Sequence, residues 1–335
     1  MTAYYVGIDV GSVSTNLVLL DEQEKVFSKL YLRTQGQPIR VLTEGLKLLK
    51  NVAGKDYTIL GAGVTGSGRQ LAATMTKADI MKNEITAHAI AALHCCPNVN
   101  TVFEIGGQDS KIIFICNGVV SDFAMNTVCA AGTGSFLDRQ AARLNIPIEE
   151  FGGYALKSQM PVQIAGRCAV FAESDMIHKQ QTGHSTEDIV NGLCMALVRN
   201  YLNNLAKGKT IKEPVVFQGG VAANVGIIAA FERELQVKIT VPEHYDVMGA
   251  IGAALLAKEE VKNRATTFRG FDNLNSEFVA KSFECNNCAN KCEVVELMQN
   301  NCAVARWGDR CGRWSSMDNE VKEKKVEKQK TATLA

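Results

Sequence analysis

The opening segment of the chain carries runs of apolar and β-branched residues separated by polar or glycine turns, a pattern that predicts three consecutive strands. In YYVGIDVGSVSTNLVLLDEQEKVFSKLYL, β-branched and apolar runs lie on either side of Gly11 and Ser12, and residues 21–23 supply a polar hairpin tip. A second segment, VFEIGGQDSKIIFICNGVVSDFAM, has the same pattern, and its last hairpin tip falls at residues 117–118. Both segments are therefore predicted to form strands joined by tight turns.

A constant offset of 95 residues relates the two segments, since Asp9 aligns with Glu104 and Gly11 aligns with Gly106. Internal repeats of this kind are typical of duplicated structural units. We therefore expect an α/β protein in which two similar domains face each other, each offering a hairpin loop to a shared cleft.

Apolar residues between and after the two segments recur at helical spacing. The spacing predicts helices over residues 39–53, 85–96, 135–144, 168–181 and 188–206.

Glycine marks the remaining predicted turns. GAGVTGSGRQ, residues 61–70, is predicted to be a glycine-rich turn, and EPVVFQGGVAAN a buried strand followed by a Gly-Gly turn and a helix start. The segment VKITVPEHYDVMGAIGAALLAKEE predicts a strand, a loop and a final helix that contains Gly249 and Gly252.

Composition narrows the class of protein. The 335 residues are 46% hydrophobic with a formal net charge of +1, which argues against a nucleic-acid binder held by phosphate contacts. No apolar run reaches the roughly 18 residues that a membrane span needs, and the N-terminus lacks the pattern of a signal peptide. We therefore expect a cytoplasmic protein without membrane or nucleic-acid partners. Its eleven cysteines then favour metal binding or redox chemistry over disulfides.

Three glycine turns, each after an apolar strand, suggest a phosphate-binding cleft: Gly11-Ser12, Gly106-Gly107 and Gly219-Gly220. Facing hairpin turns can offer backbone N–H and hydroxyl groups to a polyphosphate. For any single turn, the simpler interpretation is a hairpin that needs glycine for positive φ. Three turns together with an internal repeat favour the nucleotide, and the absence of a G-x-x-x-x-G-K-[ST] run excludes a P-loop protein.

Carboxylates near these turns suggest the chemistry of phosphoryl transfer. Asp9 and Asp109 are placed to hold a hydrated Mg²⁺ or to orient an attacking water. Which carboxylate orients that water stays open.

Two cysteines lie at sites that are unusual for packing residues. In VCAAGTG, Cys129 directly precedes a loop of small residues that includes Gly132 and Thr133, and in GRCAVFAESD, Cys168 precedes a predicted helix. The N-terminus of a helix stabilises an anionic thiolate through its free N–H groups and its dipole. Both cysteines are therefore candidates for a metal or redox role.

The phosphate-type motifs resemble a known superfamily. GIDVGSVSTN, EIGGQDSK and VVFQGGVAAN are similar to the two phosphate motifs and the adenosine motif of acetate and sugar kinases, heat-shock chaperones and actin. NTVCAAGTGSFLD, GRCAVFAESD and GAIGAALLA resemble, more narrowly, the ATP-dependent activators of 2-hydroxyacyl-CoA dehydratases and the related ATPase subunits of benzoyl-CoA reductase. The resemblance covers roughly residues 4–258, and it implies the two-domain fold of that superfamily, with duplicated mixed sheets around a nucleotide cleft.

The resemblance also implies a function. Two subunits of a homodimer would share one [4Fe-4S] cluster, and the cysteines that match the family are Cys129 and Cys168. ATP hydrolysis would drive a low-potential electron, received from a donor such as ferredoxin or flavodoxin, to a partner iron–sulfur dehydratase or reductase.

Site residues follow from the matched motifs. The catalytic candidates are Asp9, Glu104, Gln108 and Asp109, and Glu104 departs from the Asp more often found in short activators. The residues expected to bind ATP or ADP with Mg²⁺ are Gly11, Ser12, Val13, Ser14, Thr15, Gly106, Gly107, Gly132, Thr133, Gly219, Gly220 and Pro242.

Domain limits follow the repeat. Residues 1–100, completed by residues 243–260, are expected to form the first ATPase domain, and residues 101–242 the second domain with the cluster cysteines. Residues 261–318 form a cysteine-rich extension, and the charged residues 319–335 are predicted to be disordered.

The extension carries a second set of cysteines, which short activators lack. CNNCANKC contributes Cys285, Cys288 and Cys292, and Cys302 and Cys311 follow. This spacing predicts a metal site that holds either Zn²⁺ or a second iron–sulfur cluster, and the alternative is an exposed thiol cluster. The tryptophans and arginines around Cys311 also suit a docking surface.

Two rival functions share the expected fold. A small-molecule or acyl kinase, and a chaperone-like ATPase, would each use the same nucleotide cleft. Both rivals leave Cys129 and Cys168 without a purpose, and the iron content of anaerobically purified protein distinguishes them from an electron carrier.

Overall fold

A computed structural model of the chain describes residues 2–262, 264–271 and 277–315. The charged segment 319–335, predicted to be disordered, lies outside the described residues. Among the helices of the described part, none is both long and apolar enough to cross a membrane.

The first sheet contains five strands in the order β3-β2-β1-β4-β5. Strands β1 (Thr2–Val10), β2 (Ser14–Asp21) and β3 (Val26–Arg33) form the predicted hairpins, with antiparallel pairing. On its other side, β1 pairs in parallel with β4 (Tyr57–Thr65), which is followed by β5 (Ile80–Met81). The first predicted strand pattern is therefore confirmed.

The second sheet repeats this topology in the order β10-β9-β6-β7-β8. Strands β6 (Thr101–Ile105), β7 (Ser110–Cys116) and β8 (Val119–Asn126) are antiparallel. Strand β9 (Val215–Gln218) pairs in parallel with β6, and β10 (Ile239–Thr240) pairs with β9. The internal repeat read from the sequence therefore corresponds to two mixed sheets of matching topology.

Helices surround both sheets, and the five predicted helices are confirmed. Helix α7 (Thr186–Tyr201) continues into a π-helical segment, Leu202–Ala206. Two short helices, α2 (Arg69–Thr76) and α5 (Ile148–Leu156), were not predicted, because eight and nine residues give too few turns for helical spacing to be recognised in the sequence. The described helices are α1 (Pro38–Ala53), α2 (Arg69–Thr76), α3 (Glu84–Cys95), α4 (Gly134–Leu144), α5 (Ile148–Leu156), α6 (Ala169–Gln181), α7 (Thr186–Tyr201), α8 (Val225–Leu235) and α9 (Met248–Glu260).

The predicted glycine-rich turn at residues 61–70 is wrong for its first half, which belongs to β4. The glycines are there because α9 packs directly on the sheet. A Cβ at Gly63 would collide with the carbonyl oxygen of Ala253, and a Cβ at Gly7 with that of Ala250. Glycine in a strand can thus indicate a close helix contact as well as a turn.

The extension forms a third, antiparallel sheet of β11 (Phe278–Glu284), β12 (Glu293–Gln299) and β13 (Cys302–Trp307). Phe278 and Leu297 are buried in the same apolar cluster as the core of the first sheet. The extension therefore packs against the first sheet.

Candidate functional site

Two equivalent turns, one from each sheet, face each other across a cleft. The N–H of Gly11 donates to the carbonyl oxygen of Ser14 at 2.9 Å, and the N–H of Gly106 donates to that of Asp109 at 3.0 Å. These pairs are related by the repeat, so the same tight turn occurs twice. The turns line a cavity of about 150 Å³, into which the structure brings these predicted residues: Asp9, Gly11, Ser12, Val13, Ser14, Glu104, Gly106, Gly107, Gln108, Asp109, Gly219 and Gly220.

A second, wider cavity of about 510 Å³ adjoins the first and shares Gly106, Gly107 and Gly220 with it. Its further walls come from the starts of α4, α5 and α8 and from the loop that holds Tyr245. The two cavities together give a cleft with a polar floor and a broader, partly apolar mouth.

Gly107 of the second turn allows close approach to the first turn. Among the three turns, positive φ occurs only at Gly219, at 90°. The interpretation that the turns need glycine for positive φ is therefore wrong for Gly11 and Gly107. A Cβ at Gly107 would instead lie 2.7 Å from Cγ2 of Val13, which belongs to the opposite turn. The two turns are thus in contact, and only glycine leaves room for that contact.

Four predicted nucleotide residues do not line either cavity of the described chain. Thr15 is fully buried and its hydroxyl is hydrogen-bonded to that of Thr34 at 3.0 Å. Gly132 and Thr133 are buried, and Gly132 lies against the side chains of Asn126 and Asn200. Pro242 accepts a hydrogen bond from the N–H of Tyr245 at 3.2 Å, so it supports a residue of the cavity wall.

A buried lysine at the floor of the cleft holds three carboxylates together. The ammonium nitrogen of Lys111 lies 2.9 Å from a carboxylate oxygen of each of Glu84, Glu104 and Asp109. Only 2% of the Lys111 side chain is exposed. Neither Lys111 nor Glu84 was predicted from the sequence; a lysine inside the apolar strand SKIIFIC is the signal that could have identified one of them.

The cleft floor carries more negative than positive groups. Burial raises the pKa of Asp9 to about 7 and that of Glu104 to about 7, and nearby carboxylates add to both effects. Burial lowers the pKa of His88 to about 3, so this imidazole is neutral and pairs with the Gln218 amide at 2.9 Å. An excess of carboxylates at this position fits a divalent cation that also binds phosphate oxygens.

The structure brings the loops of Cys129 and Cys168 together. Sγ of Cys129 lies 3.9 Å from the carbonyl oxygen of Arg167. The side-chain amide of Asn200 connects the loops, because it donates to the Gly166 carbonyl at 2.6 Å and lies 3.6 Å from Sγ of Cys129.

Asn126 holds the backbone on the other side of Cys129. Its amide oxygen accepts from the Cys129 N–H at 2.9 Å, and its amide nitrogen donates to the Cys129 carbonyl at 2.8 Å. Neither Asn126 nor Asn200 was identified from the sequence.

The two cysteines begin different kinds of helix. Cys168 is the N-cap residue of α6, whereas Cys129 begins a single 3₁₀ turn, Ala130–Gly132, and α4 starts only at Gly134. Glu173 of α6 forms ion pairs with two arginines of α4, so the two helices that leave the cysteine loops are tied to each other.

The Cys129 loop is also bonded to the second phosphate-type turn. The N–H of Gly134 donates to the Gly106 carbonyl at 2.9 Å, and the N–H of Ser135 donates to the Gly107 carbonyl at 2.9 Å. A movement of this turn would therefore be transmitted directly to the segment that carries Cys129.

Large apolar side chains surround both cysteines and face solvent. Val128 is 95% exposed, Val170 68% and Phe171 65%. Cys129 and Cys168 are themselves half-buried. Exposed apolar groups in such a patch mark a surface that another molecule covers.

The extension cysteines lie at two ends of the third sheet. Cys285, Cys288 and Cys292 lie in the loop between β11 and β12, whereas Cys302 is at the opposite end of the sheet, where it pairs with Gln299. Over residues 2–262, 264–271 and 277–315, no three His, Cys, Asp or Glu side chains already stand together as a metal site.

The sequence matches the BadF/BadG/BcrA/BcrD ATPase family over residues 6–257. It is 36% identical over 261 residues to the (R)-2-hydroxyglutaryl-CoA dehydratase activating ATPase of Acidaminococcus fermentans, an alignment that covers 77% of this chain and 98% of that protein. It is 36% identical over 264 residues to the 2-hydroxyisocaproyl-CoA dehydratase activator of Clostridioides difficile, covering 77% and 96% of the two chains.

Solved structures agree with the sequence matches. The activator of 2-hydroxyisocaproyl-CoA dehydratase from Clostridium difficile with bound ADPNP superposes with a TM-score of 0.71 at 34% identity, covering 77% of this chain and 96% of that one. Component A of the Acidaminococcus fermentans (R)-2-hydroxyglutaryl-CoA dehydratase gives 0.71 at 33% identity, covering 78% and 100%. These matches confirm the predicted fold class of an actin-like ATPase with two mixed sheets.

Proposed function

The chain belongs to the BadF/BadG/BcrA/BcrD ATPase family, and on this basis we propose that it couples ATP hydrolysis to electron transfer toward a partner iron–sulfur enzyme. The observation that carries the proposal is the pair of hydrogen bonds from Gly134 and Ser135 to the turn at Gly106 and Gly107. These bonds connect the nucleotide cleft to the loop of Cys129. A nucleotide-dependent movement of the turn would thereby change the environment of the cysteine.

The nucleotide occupies the two adjoining cavities in this proposal. Its phosphates lie between the facing turns, and the adenosine part takes the wider cavity. Mg²⁺, held by phosphate oxygens and by the carboxylate of Asp9, would neutralise phosphate charge. The backbone N–H groups of the turns bind the phosphates, and Asp9 or Asp109 orients the attacking water. The raised pKa of Asp9 means that it binds cations best above about pH 7.

Cys129 and Cys168 are proposed to supply half of the ligands of a [4Fe-4S] cluster. A cubane cluster takes four thiolates, and each chain of a homodimer contributes two across a two-fold axis. The two cysteine thiolates suit such a shared cluster, because their loops are adjacent in one chain and an exposed apolar patch surrounds them. When bound, the cluster would supply one-electron chemistry at low potential.

The protein residues around the cysteines have separate tasks. The free N–H groups at the start of α6 stabilise negative charge on the Cys168 thiolate. Asn200 keeps the two loops at a fixed separation, and the patch of Val128, Val170 and Phe171 excludes water once the second chain covers it.

The proposed partners follow from the relatives. The Acidaminococcus and Clostridioides proteins are named as activators of dehydratases, so a dehydratase or a related reductase with iron–sulfur centres is the proposed electron acceptor. A ferredoxin or flavodoxin is the proposed donor. A kinase or a chaperone-like ATPase on the same fold would carry no iron at Cys129 and Cys168, and iron analysis of anaerobically purified protein therefore tests the proposal.

Gly107→Val is expected to abolish ATP hydrolysis while the iron content stays unchanged. The new side chain collides with Val13, whose Cγ2 would lie 2.7 Å from the Cβ, and it separates the two turns that bind phosphate. The measurement is phosphate release by anaerobically purified protein, with iron analysis of the same sample. Gly153→Val is the matched control, because a Cβ at that helical position meets nothing within 4 Å. Full ATPase activity in Gly107→Val would contradict the phosphate-binding role of the turns.

A further inference from the structure

The third sheet leaves a cluster of cysteines that the ATPase function does not use. Five cysteines lie in residues 277–315, and their positions on the sheet separate them into two groups. Strand pairing joins Glu284 to Glu293 at one end and Phe278 to Gln299 at the other, and Cys302 pairs with Gln299. The two ends are about 20 Å apart at the usual rise per residue. Cys302 therefore cannot join a site formed by the other cysteines.

The loop between β11 and β12 is already folded as a compact turn around its three cysteines. The N–H of Cys285 donates to the carbonyl oxygen of Cys292 at 2.8 Å, and the N–H of Lys291 donates to that of Cys288 at 3.2 Å. These backbone bonds bring the start and the end of the C-x₂-C-x₃-C motif side by side. The loop is held in place before any ligand binds.

The segment that contains Cys311 folds back over this loop. The indole N–H of Trp314 donates to Sγ of Cys285 at 3.3 Å, and the rings of Trp314 and Phe283 stack edge to face at 4.9 Å. Asp309 closes the segment on itself, because its carboxylate accepts from the N–H of Trp314 at 2.8 Å. Cys311, three residues before Trp314, is thereby placed at the same end of the sheet as Cys285.

Donor groups around Cys285 favour a charged sulfur. Besides the Trp314 indole, the guanidinium of Arg313 lies at the loop, where its Nε is 3.0 Å from the side-chain oxygen of Asn287 once that amide is turned to present its oxygen to the guanidinium. N–H groups directed at a cysteine sulfur, together with a nearby cation, offset the negative charge of a metal thiolate site.

From this placement we propose that Cys285, Cys288, Cys292 and Cys311 bind one structural Zn²⁺ and that Cys302 takes no part. Tetrahedral Zn²⁺ binds four cysteine sulfurs at about 2.3 Å, so its binding would draw together sulfurs that do not yet form a group of three in the part of the chain that the structure describes. Six of the seven residues of β11 are exposed, and the buried Phe278 and Leu297 pack against the core of the first sheet, so the module has little apolar core of its own, which a structural metal would supplement. Redox-silent Zn²⁺ suits that structural task. The inference does not rest on the proposed ATPase or electron-transfer function.

The test is metal analysis of the full-length chain and of single Cys→Ser variants, purified without added zinc or chelator. We expect about one zinc per chain in the wild type and loss of that zinc in C285S, C288S, C292S and C311S, with iron unchanged. C302S is the matched control, since it changes the same residue type in the same sheet and should keep its zinc. Zinc retained in C311S, zinc lost in C302S, or iron in place of zinc would each overturn the assignment.

A second measurement uses wild-type protein, so it does not depend on whether the cysteine variants fold. Wild-type protein is stripped with a chelator and titrated with Co²⁺, whose visible absorption distinguishes tetrahedral thiolate coordination from other ligand sets. Both tryptophans of the chain, Trp307 and Trp314, belong to the third sheet and its following segment, so their fluorescence should change with a one-to-one endpoint. A spectrum without thiolate-to-metal bands, or unchanged tryptophan emission, would refute the site.

Discussion

Cys129→Ala and Cys168→Ala should each reduce the iron content of the anaerobically purified protein to background and remove its brown colour. In a homodimer that shares one cluster, a single substitution removes two of the four ligands at once, and two thiolates do not retain a cubane. The fold should persist, because neither side chain belongs to the buried cores. The measurement is iron per chain with the visible spectrum, and circular dichroism reports the fold.

Cys116→Ala is the control for these variants. Cys116 is an exposed thiol at the end of β7, in the same domain as the cluster candidates, so its removal should leave iron and colour unchanged. Unchanged iron in both Cys129→Ala and Cys168→Ala would refute the assignment of these cysteines. Loss of iron in Cys116→Ala as well would point to general damage.

Lys111→Met should lower the free energy of unfolding at neutral pH by about 3–5 kcal/mol, because it removes the cation of a buried charge network. Three carboxylates, those of Glu84, Glu104 and Asp109, would lose their common partner. Chemical denaturation at neutral pH measures the loss. Lys262→Met is the matched control: its ion pair with Glu259 is largely exposed, so the change should stay below about 1 kcal/mol.

The loss in Lys111→Met should shrink as the pH falls from 7 to about 5. In the wild type, the folded protein holds protons on Asp9 and Glu104 up to about pH 7, whereas the unfolded chain releases them near pH 4. The folded state therefore becomes less stable as the pH rises through this window. Lys111 lowers the pKa of both Asp9 and Glu104, so its removal increases the cost of ionising these buried carboxyl groups at pH 7. At pH 5 both groups are protonated in the folded protein, so this part of the loss is smaller. A loss that is small or independent of pH would mean that Lys111 does not balance these carboxylates.

The repeat explains why so much of the fold could be predicted from the sequence. Strand and turn signals are local, and they occur twice with the same spacing, so the pairing of β1–β3 and of β6–β8 follows from the chain itself. The facing turns at Gly11 and Gly106 could be placed in one cleft for the same reason. Gly107, however, is required by its contact with Val13 across the cleft, which no local pattern encodes.

The charge network and the cysteine supports depend on contacts between distant segments. Lys111 of β7 pairs with Glu84 of helix α3, and Asn200 contacts Cys129 from a position 71 residues further along the chain. An isolated lysine in a strand, or an asparagine in a helix, has no sequence signal that names its partner. The packing of the third sheet against the first sheet through Phe278 and Leu297 could not be predicted from the sequence either, because short amphipathic strands do not specify which surface they cover.

We propose above all that two chains share one iron–sulfur cluster through Cys129 and Cys168. Native mass spectrometry of the anaerobically purified wild-type protein tests it most directly, since one spectrum gives both the number of chains and the mass of bound iron and sulfide. We expect a dimer that carries one four-iron cluster and that separates into chains without a cluster when iron is removed. A monomer with a complete cluster, or a dimer without iron at these cysteines, would contradict it.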